Sequence, residues 1–225
     1  MAFIPRINFL ESADVTGLLP ASHGEAVAGA KVRSRGGRST DEKIPADLIV
    51  DASGRNSNTW RWLEDLGYEP PEETVVDAHL GYASRIYERS EDSARDWEAL
   101  LVQATPPEVT RGGVLYPIEG ERWIAGLTGV GEDYPPTGEE GFMEFARSLR
   151  TPMLYEVKKD AKPLSPIYSY RATRNRKRHY EKLSSQPHNL LVTGDAACAF
   201  NPIYGQGMTT AAIGDETLEE ALLER

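Results

Sequence analysis

A carboxylate at the end of an apolar segment is the residue of this chain best placed to do chemistry. Residues 190–193 are apolar and lead into Gly194 and Asp195, and a turn rich in glycine and proline follows at 201–207. This order predicts a buried strand that ends at a carboxylate, then a turn, then a helix N-terminus. The carboxylate can accept hydrogen bonds from ligand hydroxyl groups, and glycines let a flat ring approach the backbone N–H groups at the positive end of the helix. The pattern therefore suits a cofactor that carries both a polyol and an electron-poor ring.

The whole run 194–208, GDAACAFNPIYGQGM, resembles the flavin-binding motif of the p-hydroxybenzoate hydroxylase-like (class A) flavoprotein monooxygenases. A strand followed by Gly-Asp would not be specific alone, because an aspartate there also serves as an ordinary helix cap. The resemblance implies that Asp195 binds a ribityl hydroxyl of FAD and that the amides of Gly207 and Met208 face the pyrimidine edge of the flavin. The cofactor-binding residues implied in this run are Gly194, Asp195, Pro202, Gly205, Gln206, Gly207 and Met208.

A second apolar segment breaks at small residues in a similar way. Residues 45–55, PADLIVDASGR, resemble the segment that closes the first part of the FAD domain in the same family. Relatives frequently carry Asp-Gly there, but Ser53 precedes Gly54 here, so the role of that aspartate is not carried over. The turn Ser53-Gly54-Arg55 is predicted to contact the cofactor, with Arg55 near the pyrophosphate or the ribityl chain. A solvated loop arginine is the equal alternative.

Dinucleotide-binding domains of this type bind the pyrophosphate with a strand, a Gly-x-Gly-x-x-Gly turn and a helix in succession. The sequence of this chain contains no such motif. Gly36 and Gly37 lie in a polar run, 33–39, that predicts a hairpin tip. We therefore expect a truncated flavoprotein that holds FAD weakly or not at all, with a separately encoded N-terminal segment as a candidate partner.

Composition restricts the class of protein. The chain has 225 residues, 40% of them hydrophobic, and a net charge of -10, which argues against nucleic acid or anionic membrane as a partner. The one cysteine, Cys198, excludes an internal disulfide framework, and we favour a small buried hydrophobe over a redox role for it. No signal peptide or bilayer-spanning run is present, so we predict the cytoplasm. The four histidines lack metal-ligand spacing, so no metal site is predicted.

The resemblance and the patterns along the chain divide it into three sections. Residues 1–57 form part of an FAD-binding domain, residues 58–185 a substrate-binding sheet domain, and residues 186–225 the return to the FAD-binding domain. The fold class is α/β, in part α+β: a discontinuous FAD-binding domain of glutathione-reductase type with an inserted antiparallel-sheet substrate domain.

Apolar periodicity predicts the elements of these sections. Strands are predicted at 7–10, 15–19, 27–32, 48–50, 76–86, 99–103, 113–116, 123–128 and 164–170. A helix is predicted within 58–71, and a capping box at Thr137 predicts another, with Phe142, Phe145 and Leu149 on one face.

Two sets of side chains in the inserted section have open roles. The resemblance implies that one face of its sheet lines the substrate pocket, although each aromatic is individually favoured as core. The candidate aromatics are Tyr82, Tyr116, Trp123, Tyr168 and Tyr170. A dense basic cluster could attract an acidic substrate group, NADPH phosphates or a partner surface, but we favour a solvated loop and helix start. Its members are Arg171, Arg174, Arg176, Lys177, Arg178, His179 and Lys182.

The resemblance implies an FAD-dependent monooxygenase that uses NADPH or NADH and O2 to hydroxylate or epoxidise an apolar aromatic or polyene substrate. The sequence identifies no catalytic side chain, which fits an enzyme whose cofactor carries the chemistry. Two alternatives stay open: an FAD-dependent reductase that saturates isoprenoid double bonds, and a catalytically silent fragment or assembly module.

Overall fold

The computed structural model describes residues 7–22, 24–36, 40–89 and 97–224. The strands are β1 (Ala13–Pro20), β2 (Val27–Ser34), β3 (Glu42–Pro45), β4 (Ile49–Asp51), β5 (Glu73–Val76), β6 (Gly81–Glu88), β7 (Leu100–Val102), β8 (Arg111–Ile118), β9 (Arg122–Gly129), β10 (Tyr168–Tyr170), β11 (Asn175–Arg178), β12 (Leu190–Val192) and β13 (Cys198–Ala199). The helices are α1 (Thr59–Asp65), α2 (Glu139–Arg147), α3 (Met153–Lys158) and α4 (Gly207–Leu223).

The chain is a mixed α/β protein with several sheets, divided into two compact units. The first unit combines the residues up to Val75 with those from Arg176 onward, and the second comprises Val76–Asn175. The assignment of these units as cofactor and substrate domains stays a prediction.

The first unit contains the predicted meander and the two strands that lead to the motifs. Strands β1, β2 and β3 form an antiparallel sheet in that order, which confirms the meander after residue 13. Strand β4 pairs in parallel with β12, so that Asp51 lies beside Val192 and the two chain segments end at the same edge. Strand β11 lies between β13 and β5. The turns that follow β4 and β12 are therefore neighbours.

Two expectations for the first unit need correction. Residues 7–10 form no strand, and Phe9 and Leu10 are 65% and 66% exposed, because no described strand pairs with them. The strand pair β4 and β12 is less buried than its composition predicts, since Val50 and Leu191 are 39% and 43% exposed. The predicted hairpin tip is confirmed at Gly36, which lies in the turn after β2, whereas Gly37 lies outside the described residues.

The second unit is a five-stranded sheet, in the order β10-β6-β9-β8-β7, whose strands pair antiparallel. Helices α2 and α3 cover one face of it. The core between them contains Ala83, Val102, Leu127, Phe142, Phe145, Ala146, Leu149 and Leu154. The predicted apolar face of α2 is thereby confirmed.

Two local predictions in the second unit are wrong for identifiable reasons. The long strand 76–86 is broken, because the Asp77 carboxylate accepts the N–H of His79 at 2.8 Å and His79 adopts a φ of 47°. Such an aspartate turn competes with strand pairing. Helix α2 begins one residue later than the capping box implies, with Gly138 at its N-cap and no side-chain cap.

Strand register separates the five candidate aromatics into two groups. Trp123 lies opposite Tyr87 on the helix-covered face and is 3% exposed, so it is a core residue. The strand register places Tyr82, Tyr116, Tyr168 and Tyr170 on the other face. Tyr116, Tyr168 and Tyr170 are 41%, 59% and 45% exposed there.

Candidate functional site

A buried aspartate organises the turn after β4. One oxygen of Asp51 accepts the N–H of Ser53 at 2.8 Å, and the other accepts the hydroxyls of Ser57 and of Thr59, the latter at 2.6 Å. Burial of Asp51 acts to raise its pKa, but these hydrogen bonds outweigh burial, and the pKa lies below its ordinary value. The sequence analysis gave Asp51 no role. An aspartate at a strand end, followed by Ser, Ser and Thr, is the signal that could have indicated this turn.

Gly54 and Arg55 complete the same turn. Gly54 has a φ of 82°, a conformation that glycine adopts without steric cost, and its carbonyl accepts the N–H of Ser57 at 2.9 Å. Arg55 donates to the carbonyl of Phe200 at 2.7 Å, and Arg176 donates to the carbonyl of Arg55. Arg55 thus fastens this turn to the chain that precedes α4.

The second turn runs from β12 to α4 through short 3₁₀ segments. Asn201 accepts the N–H of Ile203 at 3.1 Å with its side chain, and Gly205 has a left-handed φ of 63°. Helix α4 then begins at Gly207, and among the described residues no side chain caps it at Gln206. The first N–H groups of a helix have no partner within it, so they are available to a ligand here.

Two glycines of α4 show how near the helix lies to the end of β12. A Cβ at Gly207 would lie 3.7 Å from Oδ1 of Asp195, which places the carboxylate at the helix N-terminus. A Cβ at Gly214 would lie 3.2 Å from Oγ1 of Thr193, tighter than most real contacts. The end of β12 and the first turns of α4 are therefore held side by side.

A cavity of about 380 Å³ lies between these turns and helix α4, within the first unit. Its walls are formed by Ala52, Gly54, Thr193, Gly194, Asp195, Gly207, Met208, Ala211 and Asp215. Five predicted cofactor-binding residues line it, namely Gly54, Gly194, Asp195, Gly207 and Met208. The other five, Ser53, Arg55, Pro202, Gly205 and Gln206, belong to the flanking turns and do not line it. Four wall residues were not predicted from the sequence, namely Ala52, Thr193, Ala211 and Asp215, although helical spacing from Gly207 could have indicated the last two.

The polar groups and glycines that line the cavity fit a ligand that carries both a polyol and a flat ring. Asp195 and Thr193 offer a carboxylate and a hydroxyl, the α4 N-terminus offers backbone N–H groups, and glycines at 54, 194 and 207 leave space beside them. Asp195 can accept hydrogen bonds from ligand hydroxyls and Thr193 can accept or donate them, and the N–H groups at the start of α4 can donate to the electron-rich edge of a ring.

The basic cluster is solvated only in part, which corrects the favoured sequence interpretation at one position: Arg171, Arg174, Lys177 and Lys182 are exposed, whereas Arg178 is buried. Arg178 is 4% exposed, and it bonds Glu73 at 2.8 Å and the carbonyls of Ser57 and Ala196 at 3.3 Å each. Ser57 belongs to the turn after β4, and Ala196 belongs to the turn after β12. Arg178 therefore connects the two turns that border the cavity.

Three further features of the described residues bear on function: the environment of the cysteine, the grouping of metal-ligating side chains, and the length and apolar character of the helices. Burial raises the pKa of the partly buried Cys198 thiol, which makes it a poorer nucleophile. Within the described ranges no group of three His, Cys, Asp or Glu side chains could hold a metal ion, and His23 lies outside those ranges. None of the described helices is long and apolar enough to cross a membrane.

One protein of known sequence and several solved structures are similar to this chain. No family model matches the sequence. Protein Rv3254 of Mycobacterium tuberculosis is 31% identical over 188 residues, which are 84% of this chain and 39% of that protein. The flavin-dependent brominase Bmp2 matches with a TM-score of 0.65 at 17% identity, over 88% of this chain and 46% of the brominase. The flavin-dependent halogenase CmlS matches with a TM-score of 0.60 at 18% identity, over 88% of this chain and 33% of the halogenase.

The chain shares its fold with these flavin-dependent enzymes. The OxyS anhydrotetracycline hydroxylase of Streptomyces rimosus also matches, with a TM-score of 0.54 at 16% identity, over 87% of this chain and 34% of the hydroxylase. The chain thus spans less than half the length of each of these proteins. Membership of the p-hydroxybenzoate hydroxylase-like family stays a prediction.

The turn after β4 gives a testable dependence of stability on pH. Since the folded pKa of Asp51 is depressed, its contribution is present above the unfolded pKa of about 3.9 and is lost as the pH falls through the folded value. We expect Asp51→Asn to lower the free energy of unfolding by about 1–3 kcal/mol at pH 7, and by progressively less in acid. Urea unfolding at pH 7 and pH 3 measures this. The exposed Asp47→Asn serves as control, and an Asp51→Asn deficit that persists in acid would contradict the assignment.

Proposed function

We propose that this chain belongs to an FAD-dependent oxidoreductase, most closely a monooxygenase that uses NADPH or NADH and O2. The observation that carries this proposal is the convergence of Asp195, Gly54 and the N-terminus of α4, which no side chain of the described residues caps, on one cavity. The fold shared with flavin-dependent halogenases and a hydroxylase supports the same cofactor. The discontinuous FAD-binding domain of glutathione-reductase type is part of this proposal.

The residues of the cavity would hold the cofactor as follows. Asp195 accepts a hydrogen bond from a ribityl hydroxyl, and the amides of Gly207 and Met208 face the ring edge at the positive end of α4. Gly54 leaves room for the ring beside the turn that Asp51 organises. When bound, FAD supplies the transfer of electrons from the nicotinamide to O2, and the protein supplies binding, orientation and exclusion of water.

The open face of the second unit supports an apolar substrate. Tyr82, Tyr116, Tyr168 and Tyr170 lie there, and the positions between them are uncharged: Ser84, Ile86, Leu101, Val114, Ile124, Gly126 and Thr128. Burial, together with the neighbouring Tyr170, raises the pKa of Tyr82 to about 12, so its hydroxyl stays protonated at neutral pH. A face of aromatic rings suits a flat aromatic or polyene substrate.

The origin of the oxygen in the product tests the monooxygenase assignment. With excess FAD and NADPH or NADH, we expect a panel of aromatic and polyene compounds to contain one that accelerates nicotinamide oxidation. Its product should carry label from 18O2, as measured by mass spectrometry. Label from labelled water would contradict the monooxygenase proposal, and turnover that proceeds unchanged without O2 would contradict it and favour the reductase. Absence of any FAD-dependent nicotinamide oxidation would favour a catalytically silent flavoprotein.

A further inference from the structure

Asp215 is a second carboxylate on the wall of the cavity, and no sequence motif assigned it a role. It lies in α4 and lines the cavity together with Gly207, Met208 and Ala211. These four residues are separated by one, three and four positions, so they share one face of the helix. At a rise of 1.5 Å per residue, that face extends about 12 Å from Gly207 to Asp215.

The two carboxylates lie at different heights along this helix face. Oδ1 of Asp195 lies beside Gly207, 3.7 Å from where its Cβ would be, at the N-terminal end. Asp215 lies two turns further along, next to Gly214, where α4 passes close to the hydroxyl of Thr193. The cavity therefore offers an acceptor near each end and a hydroxyl on the wall.

The wall of the cavity indicates what these carboxylates would recognise. None of the nine wall residues that the structure describes is basic, so these residues provide no cation to neutralise Asp195 or Asp215. Ionised carboxylates only accept hydrogen bonds, and two of them in one cavity oppose the entry of an anion. A neutral chain of hydroxyl groups satisfies both carboxylates, whereas a phosphate at the same place would not.

We propose that Asp215 is a second hydroxyl acceptor of the cofactor site, so that a polyol lying along α4 is held by Asp195 and Asp215 together. This inference rests on the proposed flavin site and assigns the ribityl chain as the polyol. The phosphates of a dinucleotide would then lie outside this cavity.

Riboflavin and lumiflavin distinguish the polyol from the ring, because lumiflavin carries a methyl group in place of the ribityl chain. Quenching of flavin fluorescence on titration with the purified chain measures both affinities. We expect the parent chain to bind riboflavin more tightly than lumiflavin. Asp215→Ala should weaken riboflavin binding about tenfold or more, as expected for loss of a hydrogen bond to a charged acceptor, and leave lumiflavin binding unchanged.

Glu216→Ala is the matched control, since this exposed neighbour on α4 does not line the cavity, and it should change neither affinity. Thermal melting of both variants checks that α4 stays folded. A riboflavin affinity that Asp215→Ala leaves unchanged, or an equal loss for both flavins, overturns the role of Asp215 while leaving the flavin site intact. If the parent chain binds neither flavin, the proposed flavin site itself is overturned.

Discussion

Asp195→Ala should weaken flavin binding tenfold or more. The substitution removes a carboxylate beside the N-terminus of α4, and a charge-assisted hydrogen bond to a ligand hydroxyl is typically worth about 1.5–3 kcal/mol. Riboflavin is the clearest ligand for the measurement, because its affinity does not depend on contacts to a pyrophosphate. Fluorescence titration of the parent and the variant gives the ratio of dissociation constants directly.

Cys198→Ser is the control for this measurement. Cys198 lies three residues after Asp195 and is partly buried, but it does not line the cavity, so its substitution should change flavin affinity much less. Equal riboflavin affinity for Asp195→Ala and the parent would remove the basis for assigning this motif to a flavin.

Local periodicity predicted the elements that bring the candidate site together. The apolar runs before Asp51 and Gly194 predicted strands, and β4 and β12 are found there, paired in parallel. The glycine and proline turn predicted the start of α4 near Gly207. These features depend on residues close in sequence, which is why a pattern of a few residues is sufficient to predict them.

The features that sequence missed depend on contacts between distant residues. Which face of a strand is covered is decided by the helices that pack on it, so Trp123 is in the core while Tyr168 is exposed. The place of Asp215 on the cavity wall depends on the rotation of α4 about its axis relative to β12, which is fixed where Gly214 meets Thr193. Neither the covered face of a strand nor the rotation of α4 can be predicted from a short run of neighbouring residues.

Charge runs were misleading for a related reason. A cluster of seven basic residues predicts a solvated surface, and Lys177 fits that prediction with its side chain 50% exposed. The next residue, Arg178, points the other way across β11 and is buried. Because successive side chains of a strand lie on opposite faces, one basic run can contain both a surface charge and an internal connection.

Arg178→Met should lower the free energy of unfolding by about 1–3 kcal/mol, because it removes a buried charged donor from its hydrogen bonds to Glu73 and to two backbone carbonyls. Methionine retains much of the side-chain volume but leaves Glu73 without this cation and the carbonyls of Ser57 and Ala196 without this donor. Urea unfolding measured by tryptophan fluorescence gives the difference.

Lys177→Met is the matched control, because Lys177 pairs with Glu181 at the surface, where such pairs contribute about 0–1 kcal/mol. Arg178 also connects the turns after β4 and β12, so the same variant should weaken riboflavin binding even under conditions where it remains folded. A stable Arg178→Met protein with the flavin affinity of the parent would show that the two turns keep their positions without this arginine. Destabilisation with unchanged riboflavin affinity would restrict Arg178 to the stability of the first unit and leave Asp51 and Gly54 to shape the cavity alone.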